Sequence, residues 1–538
     1  MWTRSPTLLS RDWSKALFIP LVLLVPMAAC TIENSPSPNP TTSGDIGEDI
    51  GEETSDDQDT GGSGQGLVTA RGDIALTLVV TNQGVDVPIV NNGEWVGPAD
   101  RNTYVVANRD TLLRAFWEIP EDWEPREITA RLELIYADGT TKTFTDPKLV
   151  EGPSFAGDIE RNFWFALLAE EFPPGVQFQI SLLEDGEASA HIRESTTVTQ
   201  APSAGPQQIG IQPEPAELKV VFIPVQYNTP GCTTDTSTLT VAEEQEFIDL
   251  LHEHNPVHDV KFDFRRSSPI VVNAALTSLS QLWAPLQEQR ITDGASPNVY
   301  YYALINVCGG GIDGAAGIAP GTPPPTKDAA YQRVSSGVWL DGDSYSYGTF
   351  VHELGHNQGR PHTFCIGGGA AGTDPSYPHE NGIIGVWGFG IRQFKLFSPT
   401  GTFDYMSYCS PTWVSDWSWS KTYNQIRALT AWDFEGPAAD EEDSAEVLIG
   451  LLFKNGTESW WTTKGGREAE YFSSAQAIDF DFGQDSAEIQ AAVELLADGT
   501  RMVVAPLPCA SEELSEITRI DSVGTRHAID LDLDFKTP

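Results

Sequence analysis

The chain has 538 residues, more than one ordinary hydrophobic core accommodates, so two to four folded units are expected. Asp and Glu number 76 against 32 Lys and Arg, which gives a formal net charge of -44. This charge excludes a general affinity for nucleic acid and argues against a basic membrane-binding surface. Calcium binding would suit such acidity, but the sequence contains no EF-hand or glycine-rich calcium repeat.

The N-terminus has the order of an export signal. Basic residues precede an apolar run over 16–27, and small residues follow it. The run is short and contains two prolines, which favours a signal peptide over a membrane-spanning helix. The stretch Met27-Ala28-Ala29-Cys30 resembles the cleavage box of bacterial lipoproteins. We therefore expect residues 1–29 to be a lipoprotein signal peptide and Cys30 to carry the lipid.

Three further segments precede the central region. Residues 30–66 are acidic and rich in Pro, Ser and Gly, which predicts a disordered tether because little apolar surface offsets chain entropy. Alternating strands over 67–200, with a hairpin signal at Asp138-Gly139, predict a β-sandwich. Its role is open between spacer, binding module and pro-domain, and no cysteine-switch motif supports a pro-domain. Residues 201–215, with scattered Pro and Gly, predict a linker.

Residues 216–435 alternate between apolar strands and amphipathic helices. Strands are expected over 218–225, 260–264 and 299–307, and a capping box at Thr240 and Glu243 opens a helix between the first two. This alternation predicts a mixed α/β (α+β) sheet covered by helices.

A metal site is predicted within this region. His352 and His356 are four residues apart, so on a helix both imidazoles face one side and can bind the same ion. Gly359 can adopt a left-handed backbone angle that ends the helix and returns His362 as a third ligand. Three neutral imidazoles with one open position are typical of catalytic zinc. Glu353 is then placed to accept a proton from water as general base.

The pattern HExxHxxGxxH resembles the metzincin metalloendopeptidases, and Asp404-Tyr405-Met406-Ser407-Tyr408 resembles their methionine turn. The resemblance covers roughly Ala216 to Trp432. It implies that Met406 packs under the metal as an apolar floor and that Tyr408 binds the metal or stabilises the oxyanion. It also implies that the glycine-rich segment 310–320 is an edge strand that pairs with substrate, although a plain loop remains the alternative.

Five cysteines follow Cys30, which allows two disulfides and one free thiol in an oxidising compartment. If the zinc loop and the methionine turn are stacked as in metzincins, Cys365 and Cys409 can bridge them. Cys232 with Cys308 is a weaker second hypothesis.

Residues 436–538 return to strand patterns, with hairpin signals at Asn455-Gly456 and Asp498-Gly499, and predict a C-terminal β-sandwich. Trp460 and Trp461 belong either to its core or to a sugar-stacking surface.

The sequence thus predicts a multidomain protein in which a metzincin-like catalytic domain lies between two all-β sandwich domains. We expect a zinc endopeptidase with one catalytic ion, acting on protein or glycoprotein at the outer membrane or cell surface. Membrane contact would be through the lipid alone, and the oligomeric state is left open. The alternatives are a surface adhesin with an inactive metzincin domain and a zinc amidase acting on cell-wall peptide.

Overall fold

The computed structural model describes residues 66–340, 344–435, 446–466, 478–481, 489–507, 517–521 and 523–529. The expected signal peptide, nearly all of the tether, Cys30 and Cys509 lie outside these ranges. The described residues from 66 onward belong to one compact unit. The described chain is mostly β-sheet with few helices, and no helix in it is long and apolar enough to cross a bilayer.

Two antiparallel sheets account for the strands between residues 67 and 208. The strands are β1 Leu67–Thr69, β2 Ala75–Asn82, β3 Asp86–Asn91, β4 Glu94–Trp95, β5 Thr111–Glu118, β6 Arg126–Ile135, β7 Thr141–Val150, β8 Phe163–Leu167, β9 Gln177–Asp185, β10 Gln200–Ala201 and β11 Gln207–Gln208. One sheet has the order β1-β9-β6-β7, with β10 and β11 also paired to β9, and the other has β4-β3-β2-β5-β8. Residues of the expected linker therefore complete the first sheet.

A mixed sheet and four helices follow. The strands are β12 Glu217–Thr229, β13 Cys232–Asp235, β14 Asp259–Phe264, β15 Ile270–Val272, β16 Val299–Ile305, β17 Gly317–Ile318 and β18 Val334–Val338, and the helices are α1 Val241–His254, α2 Trp283–Thr292, α3 Ser344–Asn357 and α4 Asp416–Ala431. The order is β13-β12-β16-β18-β17, with β14 and β15 paired to β12. Strands β12, β16 and β18 are parallel, whereas β17 runs antiparallel to β18.

Strand β16 and residues 220–225 of β12 are continuously apolar, which fits a mixed sheet that is covered on both faces. Phe222 and Tyr302 point to the face that carries Phe247 of α1 and Phe350 of α3. The alternate residues, such as Ile223, belong to a second cluster with α2 and the C-terminal strands. The capping box of Thr240 and Glu243 begins α1 as the sequence indicated.

Short two-stranded pairs connect α3 to α4, and a seven-stranded sheet follows. The connecting strands are β19 Gly388–Gly390, β20 Lys395–Phe397, β21 Phe403–Asp404 and β22 Thr412–Trp413; the sheet consists of β23 Glu446–Leu452, β24 Glu458–Lys464, β25 Ile478–Asp481, β26 Ile489–Leu495, β27 Arg501–Pro506, β28 Ile517–Ile520 and β29 Arg526–Ile529. Its order is β24-β23-β27-β26-β25-β28-β29. Trp460 and Trp461 are each only 5% exposed, and Trp461 Nε1 donates to Gln287 Oε1, so these rings belong to cores and not to a sugar-stacking surface.

The first two sheets share one apolar cluster with α1, α3 and α4. Direct hydrogen bonds reinforce this contact. Trp413 Nε1 donates to the carbonyl of Gly84 at 2.8 Å, and Trp419 Nε1 donates to the carbonyl of Tyr104 at 3.2 Å. The region before residue 216 is therefore packed into the rest of the fold along a continuous core.

His254 makes this contact sensitive to acid. The ring is buried between Trp413 and Tyr405, and burial lowers the pKa of His254 to about 4. In the unfolded chain, the imidazole of His254 has the ordinary pKa of about 6.5. The contribution of the neutral His254 ring to stability is therefore fully present above pH 6.5 and is lost as the pH falls toward 4.

From pH 7 to pH 4.5, His254 should lower the free energy of unfolding by about 2–3 kcal/mol. Urea unfolding at the two pH values would measure this difference. His254→Gln should reduce the pH dependence by that amount, whereas His191→Gln, at a largely exposed position, should leave it unchanged. Equal pH dependence in the His254→Gln variant and the native chain would contradict the assignment.

Candidate metal centre

The α3 helix and the turn after it form the centre. Gly359 has φ of 76°, a left-handed angle that a side chain would strain. The Gly359 amide donates to the carbonyl of His356, and the Arg360 amide donates to that of Gly355. These two bonds are the Schellman pattern that ends a helix at a glycine. The reversed chain then brings His362 back toward α3.

The three histidines meet through their Nε2 sides. Nδ1 of His352 donates to the Tyr405 carbonyl at 2.8 Å, Nδ1 of His356 to Arg360 at 2.7 Å, and Nδ1 of His362 to Ala371 at 2.6 Å. A carbonyl oxygen can only accept, so each Nδ1 carries the proton and each Nε2 presents a lone pair.

These lone pairs converge on one point. The possible ligand atoms lie within 4.8 Å of one another, and Nε2 of His356 is 3.1 Å from that of His362. Burial lowers the pKa of His352 to about 4 and holds the pKa of His356 and His362 below the usual value, so the rings are neutral at pH 7. Three neutral imidazoles with fixed tautomers form a donor set that fits a metal cation.

Glu353 lies beside this group on α3 and is buried. Burial raises the pKa of its carboxyl, and a cation held by the three histidines would lower that pKa again, so that the group would be charged at pH 7. Strand β17 packs against it: a Cβ added to Gly317 would lie 2.7 Å from both Cγ and Oε1 of Glu353. The absence of a side chain at Gly317 therefore leaves room for the carboxylate.

Gly317→Ala should accordingly lower kcat by about 100-fold while the fold persists, because the new methyl group displaces Glu353 by a fraction of an ångström or more. Gly310→Ala in the same segment is the matched control, since a Cβ there meets nothing within 4 Å. Steady-state peptide hydrolysis and the melting temperature of both variants would check this. Full activity in Gly317→Ala would show that Glu353 tolerates displacement.

Met406 lies directly beneath α3. It is 1% exposed, and a Cβ added to Gly355 would collide with its sulfur. The turn is held by Asp404, which accepts hydrogen bonds from the Met406 amide and from Ser415, the N-cap of α4. The helix begins at Asp416 because Ser415 caps it there.

The loop after α3 and the turn that contains Met406 are joined directly. The amide of Thr363 donates to the Met406 carbonyl at 3.0 Å. Cys365 and Cys409 form a disulfide with a Cα–Cα distance of 6.2 Å, the pairing that the metzincin resemblance implied. Cys232 and Cys308 form a second disulfide between β13 and the end of β16.

Tyr408 lies at the edge of the histidine group. Its ring centroid is 4.8 Å from that of His362 and 5.7 Å from that of His352. The ring is 49% exposed, and burial with the nearby Glu353 charge raises the pKa of its hydroxyl to about 12. The phenol is therefore a neutral donor at pH 7.

Residues 332–410, which contain this centre, match the family model for Peptidase M66. The matched residues include the three histidines, Glu353, Met406 and Tyr408. The match supports a peptidase, a hydrolase that acts on peptide bonds.

No curated protein matches the chain. Among solved structures, a calcium-binding mutant of Bacteroides uniformis beta-glucuronidase 2 is similar at 8% identity and a TM-score of 0.14. That alignment covers 44% of this chain and 30% of the other, and a TM-score this low carries no argument.

Sequence reasoning missed several residues that complete the centre. Gly317 allows β17 to approach Glu353 closely, and Gly355 allows Met406 to approach α3. Asp404 fixes the turn by accepting from the Met406 amide, and Trp413 connects the turn to the first sheets through Gly84. The only signals were the glycine-rich context of Gly317 and the position of Asp404 next to the turn. His379 lies outside this group, and its Nε2 is 2.6 Å from Oδ1 of Asp416.

Proposed function

We propose that the chain is a zinc-dependent endopeptidase of the metzincin type. The observation that carries the proposal is the convergence of three imidazoles, each with Nδ1 bound to a carbonyl, beside the buried carboxyl of Glu353. The peptidase match over the same residues supports it.

Each group then has a role in peptide hydrolysis. His352, His356 and His362 would hold one zinc ion, which when bound supplies positive charge that polarises water and the scissile carbonyl. Glu353 takes a proton from the attacking water and delivers it to the leaving amine. The Tyr408 hydroxyl donates to the oxyanion as the carbonyl carbon becomes tetrahedral.

The substrate is an extended segment of a protein or glycoprotein. β17 ends the strand order of the mixed sheet and lies against Glu353 through Gly317. An edge strand offers unpaired backbone donors and acceptors to an extended peptide. This supports the edge-strand alternative for the glycine-rich segment, and we propose that the bound peptide lies across the metal centre.

Export and lipidation of Cys30 are proposed on the order of basic, apolar and small residues at the N-terminus. Labelling cells with a fatty-acid analogue should mark the native protein, while Cys30→Ser should be unmarked and released from the membrane fraction. Labelling of the serine variant would remove this part of the proposal.

Digestion of casein tests the activity. We expect hydrolysis by the purified chain, its loss with a chelator, its return with zinc, and about one zinc per chain by metal analysis. A chain that binds zinc without hydrolysing protein would instead support the inactive adhesin. Hydrolysis of cell-wall peptide alone would support the amidase.

A further inference from the structure

Tyr302 is a buried residue of the central strand that the proposed chemistry does not use. Its side chain is 0% exposed, and its ring packs edge-on against Phe350 of α3, with centroids 4.7 Å apart. Among the residues that the structure describes, its hydroxyl has no hydrogen-bond partner. A buried phenol without an acceptor is unfavourable and calls for an explanation.

Two opposed glycines lie beside this hydroxyl. Gly317 of β17 pairs with Gly337 of β18. A Cβ added to Gly337 would collide with the Tyr302 hydroxyl, and one added to Gly317 would lie 2.7 Å from Oε1 of Glu353. Directly opposed positions in an antiparallel pair share one face. The hydroxyl and the carboxylate therefore occupy neighbouring places above the same strand pair.

The two groups are chemically complementary. Glu353 is 6% exposed and Tyr302 is fully buried, so bulk water solvates neither group. A carboxylate is an acceptor and a phenol a donor, and a hydrogen bond to a charged group is stronger than one between neutral groups.

We propose that Tyr302 is a positioning residue whose hydroxyl donates to the Glu353 carboxylate through one water and holds it toward the open side of the metal centre. This inference depends on the proposed function, because it assigns Tyr302 a role through the general base. In this role Tyr302 acts through Glu353 and not on the substrate or the metal. The glycine pair is the feature that keeps the space between hydroxyl and carboxylate free of side chains.

Tyr302→Phe tests this inference, since it removes one oxygen and keeps the ring. We expect kcat to fall about 10- to 100-fold, the loss that a hydrogen bond to a charged group implies. KM, zinc content and melting temperature should stay at native values. Tyr300→Phe is the matched control: it lies on the same strand and is equally buried, but Arg333, not Glu353, is the charge that acts on its hydroxyl.

The outcomes are distinguishable. A native kcat in Tyr302→Phe, an equal loss in Tyr300→Phe, or a loss that follows zinc content or melting temperature would overturn the positioning role while leaving the protease intact. If the native chain itself shows no zinc-dependent hydrolysis, the proposed function fails first, and this inference fails with it.

Discussion

Replacing Glu353 with glutamine should lower peptide hydrolysis by about 10²- to 10⁴-fold, the contribution that a positioned general base typically makes. Glutamine has the same shape but cannot accept the proton of the attacking water. Bound zinc should remain, because within the described residues the convergent ligand atoms belong to the three histidines. Hydrolysis rates and zinc content measured on the same preparation would separate the two effects.

His362→Ala is the contrasting variant. It removes one of three ligands, so zinc and activity should be lost together. If Glu353→Gln also lost its zinc, the carboxylate would be part of the metal site and its assignment as base would need revision. If Glu353→Gln kept its activity, a residue other than Glu353 would be the general base.

The histidine group could be predicted because its geometry is local. Residues four apart on a helix share a face, and one glycine with a left-handed angle is sufficient to return His362. The position of Met406 could be predicted only from the resemblance to metzincins, because its turn is distant in sequence from the histidines. Its contact with Gly355 follows from tertiary packing that neither segment encodes alone.

The surroundings of the centre could not be predicted for the same reason. Gly317 lies 36 positions before Glu353, and Trp413 bonds to Gly84 across 329 residues. Such pairs have no spacing rule, because they depend on how separate strands and helices pack. The alternation of apolar strands and amphipathic helices predicted the mixed sheet, but nothing in the sequence predicted the core that it shares with the first two sheets.

Arg109 is buried within that shared core, with its side chain 1% exposed. Its guanidinium donates to the carbonyl of His252 at 2.6 Å, of Asn255 at 3.1 Å and of Val257 at 2.8 Å, and Nε donates to Gln83. The first three carbonyls lie at and after the C-terminus of α1, where backbone acceptors lack helical partners. Burial lowers the pKa of Arg109 to about 9, so it remains charged at pH 7.

Arg109→Met keeps much of the apolar stem but leaves these buried carbonyls without donors. We expect the free energy of unfolding to fall by about 2–4 kcal/mol, because each unsatisfied buried acceptor is costly. Urea unfolding followed by tryptophan fluorescence is a suitable measurement, since the guanidinium lies 5.2 Å from the Trp419 ring. Arg131→Met, at an exposed position of β6, should change the unfolding free energy by less than about 0.5 kcal/mol.

The result also decides what the first two sheets do. If they were a removable pro-domain, Arg109→Met would loosen them and raise hydrolytic activity. Their hydrogen bonds instead support the chain from Gly84 through Trp413 to Tyr405, whose carbonyl orients His352. We therefore expect Arg109→Met to lower zinc affinity along with stability, and a variant that is less stable but more active would contradict this structural role.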